Sequence, residues 1–199
     1  FCQRPATDFG AVVDSRLTNL ASLRTSGLDL TLGYSTVRGD ATLDTSITAA
    51  WVSEYVIQNS PTSADQDVLD SPYRPLDLRL IGQASWAQGP WTVSAIVAYT
   101  DDYQNNTVSP LPGVIIPPTP IEAFTSVGLN VQREFGPSTV FDSGAKLILN
   151  IDNLFDEQPP TFVNNYLLGI GAGEEQINYD PANASARGRY FSVTLVANW

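Results

Sequence analysis

A chain of 199 residues and 21.5 kDa is long enough to bury a sizeable core, yet only 16% of its residues are charged against 43% apolar, and its formal net charge is −11. With 10 basic against 21 acidic residues the chain repels phosphate and is not a nucleic-acid binder, and without histidine it has no Ser-His-Asp triad, no Cys-His pair and no His-ligated metal. Its 4 Trp, 8 Tyr and 8 Phe, spread along the whole length, argue against disorder.

Apolar residues recur with a period of two, the mark of strands. In chain order, seven segments carry it. Residues 27–35 set Leu28, Leu30, Leu32 and Tyr34 on one face. Residues 43–55 set Leu43, Thr45, Ile47, Ala49, Trp51, Ser53 and Tyr55 there. Residues 76–86 contribute Leu76, Leu78, Leu80, Gly82, Ala84 and Trp86, and residues 91–100 contribute Trp91, Val93, Ala95, Val97 and Tyr99. Residues 123–132 follow with Ala123, Thr125, Val127, Leu129 and Val131, and residues 144–151 with Ala145, Leu147, Leu149 and Ile151. Residues 190–199 close the series with Phe191, Val193, Leu195, Ala197 and Trp199.

None of these face positions is charged. The opposite positions hold Asp29, Asp44, Glu54, Asp77, Arg79 and Lys146 among Ser, Thr, Gly, Gln and Asn. A soluble sandwich also keeps charge out of its core face, but its wet face would carry more Lys and Glu. A hydroxyl- and amide-rich second face suits a wet, crowded lumen. The connections alternate short (37–40, 88–90, 133–143) with long (59–74, 105–120, 152–187), as do the periplasmic turns and outer loops of membrane barrels. Trp86, Trp91 and Tyr34 fall at the short-turn ends of their strands, and Trp51, Tyr55 and Tyr99 toward the loop ends, as aromatic girdles require.

The chain is therefore expected to be all-β, an antiparallel up-and-down transmembrane β-barrel. Single-chain bacterial barrels have even strand numbers with both ends in the periplasm, so seven strands imply at least one more before Phe1. The absence of Met and the lone Cys2, a free thiol or half of a disulfide with an upstream partner, agree with a fragment. Residues 1–10, with Arg4, Pro5 and Asp8, do not read as a signal peptide. The uncharged stretches 80–100 and 103–121 are broken by Gly89-Pro90 and by five prolines, so neither is a spanning helix.

Two stretches resemble the closing part of TonB-dependent outer-membrane receptors. One runs from Asn150 to Pro160 and contains Asn153-Leu154-Phe155-Asp156, the NLFD pattern that follows a late barrel strand. The other runs from Tyr179-Asp180-Pro181 through Gly188-Arg189 into the final strand ending at Trp199. Thr25-Ser26-Gly27-Leu28-Asp29-Leu30 is similar to a strand opening of the same family. The resemblance implies that residues 1–199 are about the last seven strands of a barrel of about 22, with the plug domain and the earlier strands absent. It implies the bacterial outer membrane as location. The function implied is active import of a scarce nutrient (siderophore, cobalamin, haem or carbohydrate) with TonB-supplied energy, and no enzymatic step. The partners implied are the lipid bilayer, TonB and the plug domain in the intact receptor, a small-molecule ligand, and the barrel-assembly machinery. That machinery would read the alternation Phe191, Val193, Leu195, Ala197, Trp199. From the residues alone, Asp152 or Asn153 caps a turn and Leu154 and Phe155 pack back on the rim, a structural role without chemistry. A passive porin-like barrel and a soluble β-sandwich binding module or glycosidase are the alternatives.

No cofactor is expected. Asp65, Asp67 and Asp70 form an acidic run but lack the Gly and distal Glu of an EF-hand, so they read as solvated loop charge, as do Glu174-Glu175 and Asp101-Asp102. Pro110-Leu111-Pro112 and Pro117–Pro120 stiffen a loop that would border an outer vestibule and contact ligand.

Overall fold

The structure is a computed structural model that describes residues 22–106, 117–138, 144–161 and 178–197. It is all-β, and there is no helix among the described residues. The strands are β1 (Ser22–Arg38), β2 (Ala41–Gln58), β3 (Gln66–Asp67), β4 (Leu78–Gln88), β5 (Trp91–Thr100), β6 (Tyr103–Asn105), β7 (Thr119–Ile121), β8 (Phe124–Phe135), β9 (Ala145–Asp152) and β10 (Tyr190–Ala197). The seven long ones form one antiparallel up-and-down sheet in the order β1-β2-β4-β5-β8-β9-β10. Short β3 pairs with the end of β2, and β6 with β7 makes a separate ribbon. Among the described residues β1 and β10 are the two edges of the sheet.

The seven expected segments are these seven strands, and the register joins their apolar positions into one continuous face. Leu30 lies opposite Ala49, Ala49 opposite Leu80, and Leu80 opposite Tyr99. Further along, Ala95 lies opposite Leu129, Leu129 opposite Ile151, and Ile151 opposite Phe191. Directly opposite residues share a face, so a slip of one residue in any pair would have scattered this set across both faces. No second sheet covers the apolar face among the described residues; Leu28 is 62% exposed and Val193 68%.

Several boundaries differ from expectation for local reasons. β1 begins at Ser22 and β2 runs to Gln58, because Ser22 to Ser26 and Glu54 to Gln58 pair their backbones there although their apolar residues do not continue the alternation. The register shifts at Ser26/Gly27: Ser26 faces Glu54 and Gly27 faces Val52, leaving Ser53 as an extra residue on β2. The Ser53 hydroxyl donates to the Ser26 carbonyl (3.2 Å). A Cβ on Gly27 would overlap the Trp51 carbonyl oxygen, so the close approach at the bulge needs glycine. Beyond it the parity of β2 inverts. Tyr55, expected beside Trp51, pairs with Thr25 on the polar face, and Glu54 joins the apolar side of the sheet, where Arg24 binds it (2.9 Å). Leu76 and Ala123, expected on the face, precede β4 and β8; Leu76 is buried under the loops.

At one end of the sheet the connections are tight. Gly39 (φ 65°) and Gly89 (φ 53°) each take the first central position of a two-residue hairpin turn, where a positive φ suits glycine, followed by Asp40 and Pro90. At the other end lie the described residues of the long connections, 59–77, 101–106, 117–123, 153–161 and 178–189, and the buried apolar cluster of Leu76, Tyr103 and Ile121 sits there rather than in the sheet.

Candidate functional site

Two regions gather polar side chains: the second face of the sheet and a knot at its loop end. On the sheet, the alternation that places Leu, Val and Trp on one side places Thr, Ser, Asn and Gln on the other, and cross-strand neighbours bond in pairs and chains. Thr31 and Thr48 are 3.1 Å apart and Ser85 and Ser94 2.9 Å. Gln132 donates to Asn130 (2.8 Å), Asn130 donates to Asn150, and Asn150 donates to Ser192 (3.1 Å), a chain across β8, β9 and β10. A concavity of about 400 Å³ opens over this face between Asp44, Gln83, Ser94, Asn130 and Asp152. Gly128 lies on its floor, where a Cβ would come within 2.8 Å of Ile96. The lining offers hydroxyls, amides and the two carboxylates of Asp44 and Asp152 as hydrogen-bonding groups.

The knot is centred on Asp180, 1% exposed. Pro181 follows it in a turn, and the Asp180 carboxylate caps that turn by accepting the Ala182 N–H at Oδ1 (2.9 Å). Its other oxygen, Oδ2, accepts the Tyr73 N–H (2.9 Å), the Tyr103 hydroxyl (3.0 Å) and the Asn183 amide (2.7 Å). Asn183 also donates to the Arg74 carbonyl (3.2 Å) and accepts from Arg79 at the head of β4. One carboxylate thus ties together all three long connections and, through Arg79, the polar face of the sheet. Among the described residues no buried side-chain nitrogen or oxygen lacks a partner. Burial, with the adjacent Asp180 charge and its hydrogen bond, pushes the Tyr103 hydroxyl well above the usual tyrosine range. Burial likewise raises the Asp70 carboxyl, against the opposing effect of the Asp77 N–H that it accepts at 2.7 Å.

Of the acidic residues singled out in the sequence, Asp65 lies 3.6 Å from Arg24, Asp67 accepts the Leu69 N–H (3.1 Å), and Asp101 accepts the Tyr99 hydroxyl (2.7 Å) and the Asp102 N–H (2.9 Å). They serve separate turns and ends. Pro120 pairs with Gln104 in the β6–β7 ribbon. Cys2, Pro110, Pro112, Glu174, Glu175 and Trp199 lie outside the described residues. Phe191, Val193, Leu195 and Ala197 stand on the apolar face of edge strand β10, opposite Ile151, Leu149, Leu147 and Ala145.

The Asn153–Asp156 segment forms a turn, closed chiefly by polar groups. Asn153 (φ 51°), not Asp152, is the capping residue. Its amide donates to the Glu157 (2.9 Å) and Arg187 (3.2 Å) carbonyls, and its Oδ1 accepts the Glu157 N–H (2.9 Å). The Leu154 N–H reaches the Val127 carbonyl (2.7 Å), and Asp156 accepts the Arg189 N–H (2.8 Å). Gly188 comes so close to Asp156 that a Cβ would stand 2.9 Å from its Oδ1. The two stretches singled out near the C-terminus are therefore in direct contact. Phe155 does not pack back on the rim as expected; it is 69% exposed, because the turn is already closed by Asn153 and Asp156.

No family model, curated protein or solved structure matches this chain.

Sequence reasoning missed the knot. In the sequence Asp180 reads only as part of a closing motif and Tyr103 only as the start of an uncharged stretch. The Asp-Pro-Ala-Asn run at 180–183 is a turn signal that pointed to capping, but not to partners in two other loops.

Proposed function

We propose that this chain is the C-terminal part of an outer-membrane β-barrel receptor that imports a scarce small-molecule nutrient, with the apolar face of the sheet against lipid and the polar face lining the lumen. The observation that carries the reading is the convergence of seven separate strand alternations on one exposed, uncharged face. On the apolar face of β1 the stretch from Ser26 to Thr36 carries no charge; it is about 33 Å of strand, and a tilt of about 40° projects it to about 25 Å, the height of an outer-membrane apolar band. Arg24 and Glu54 bound it at the loop end, and Arg38 and Arg133 at the turn end. Trp51 and Tyr99 stand near the first boundary and Trp86 and Trp91 near the second. A soluble sandwich would bury Leu28, Leu30 and Leu32 rather than expose them. The Asn153–Asp156 turn closing on Gly188-Arg189 supports the TonB-dependent family as the source of the barrel, and import is then powered through TonB and a plug domain.

Single-cysteine labelling tests the bilayer placement in the outer membrane, on the whole protein carrying this chain with Cys2→Ser. Cysteines at Leu30 and Leu129 should resist a water-soluble maleimide and take a lipid-soluble one. Cysteines at Thr31 and Ser94 should react with the water-soluble reagent. Equal water-soluble labelling of both faces, or recovery of the protein without detergent from the soluble periplasm, overturns the reading. A passive porin-like barrel is the second reading, favoured by the dense hydroxyl and amide lining of the polar face. Uptake that continues when TonB is deleted would select it.

A further inference from the structure

The two ends of the apolar face are electrostatically unlike. At the loop end its cation, Arg24, is held by Glu54 (2.9 Å) and Asp65 (3.6 Å). At the turn end Arg38 lies opposite Ala41, Ala41 opposite Gln88, Gln88 opposite Trp91, and Trp91 opposite Arg133. Both arginines therefore sit at one level of the sheet, four strand spacings or about 19 Å apart. Among the described residues no carboxylate pairs with either. Asp40, next to the first, accepts from Gln88 (3.0 Å), and Glu134, next to the second, points to the other face and binds Lys146 (2.9 Å). The Arg133 guanidinium lies 4.8 Å from the ring centroids of both Trp91 and Phe135. Stacking holds its plane while its N–H edge stays free to bind an anion. In a chain of net charge −11, two cations stand at one level of this face with no carboxylate against them, and their charge is open to an anion.

We propose that this rim binds the phosphate groups of anionic phospholipids in the leaflet at the turn end. The proposal rests on the membrane reading above. Its ligand must join a phosphate to a long apolar body, because Val131, Leu129 and Val127 continue directly from Arg133 along β8. A free phosphate would use the arginines and leave that track empty. A phospholipid uses both, its acyl chains running along the track and its headgroup meeting the guanidinium edge.

The test uses the intact protein, first in flotation with phosphatidylcholine vesicles and then in detergent, with bound phosphatidylglycerol counted by native mass spectrometry. A cation at a membrane surface contributes about a fivefold change in lipid association. Arg133→Gln and Arg38→Gln should each weaken phosphatidylglycerol binding by about that factor, and Arg133→Lys, which keeps the charge, should restore most of it. Arg24→Gln, at the ion-paired end, should leave binding unchanged. Equal binding by all variants, equal loss in Arg24→Gln, or displacement of the lipid by inorganic phosphate overturns the rim while leaving the membrane reading intact. Protein that fails to float overturns both.

Discussion

Replacing Asp180 by alanine should untie the loop end while leaving the sheet folded. The carboxylate accepts four hydrogen bonds, from Tyr73, Tyr103, Asn183 and Ala182. Bonds to a charged acceptor contribute about 1.5–3 kcal/mol each, and each buried donor left stranded costs about 1–3 kcal/mol; since they act as a unit, about 4 kcal/mol is a reasonable sum. That lowers the opening free energy of the knot enough to speed local amide exchange about a thousandfold. Hydrogen exchange in detergent reads it directly: the Tyr73, Ala182 and Asn183 amides should accelerate, and those of Ala84 and Ala95 in β4 and β5 should not. Tyr103→Phe removes one of the four bonds and leaves the carboxylate with three, so about 2 kcal/mol is expected. The raised ionisation range of Tyr103 adds a pH signature. The native state holds the proton more tightly than the unfolded chain. Stability from this group is therefore full below about pH 10 and falls as the pH climbs above it. Tyr103→Phe should abolish that alkaline step. The reasoning fails if exchange at the loop amides is unchanged in Asp180→Ala, or if the sheet amides accelerate equally.

Three further outcomes are expected. Leu30→Arg, in the middle of the apolar face, should destabilise the lipid-inserted protein by about 2–4 kcal/mol in urea titrations in liposomes, while Thr31→Arg on the polar face changes little. Gly27→Ala should cost about 1–3 kcal/mol by the same titration, because the added methyl meets the backbone of Trp51 at the bulge. Asn153→Ala should cost about 2 kcal/mol and speed exchange at the Glu157 amide, which loses its side-chain acceptor.

Strand identity and facing were legible because backbone pleating writes itself into sequence with a period of two. What defeated the pattern was local geometry or long range. The Ser53 bulge is invisible because Trp51, Ser53 and Tyr55 still alternate on paper; the inversion resides in one unpaired residue. Ser22 to Ser26 pair fully, but the one apolar residue among them, Leu23, falls out of step with Leu28 and Leu30. Leu76 and Ala123 continue the alternation past the strand ends by coincidence of spacing. The turn at Asn153 was foreseen as a cap, since a short polar side chain tolerates its left-handed backbone, but its closure by polar groups left Phe155 outside. Asp180 draws two of its donors from residues 107 and 77 positions away, and no local pattern encodes such distances.

The inverted parity of β2 beyond Ser53 has a consequence for how such a protein changes over time. Below the bulge, alternation is constrained by the surroundings of the apolar face. Above it, β1 and β2 form a short extension, stitched by Arg24 and Glu54, that leads into the first of the three connections joined at Asp180. The bulge is a clutch between these two regimes. Substitutions, insertions and deletions in the connections can reshape the loop end without shifting the register of a single strand beneath it. The loop end and the sheet are thereby free to diversify at different rates within one continuous fold.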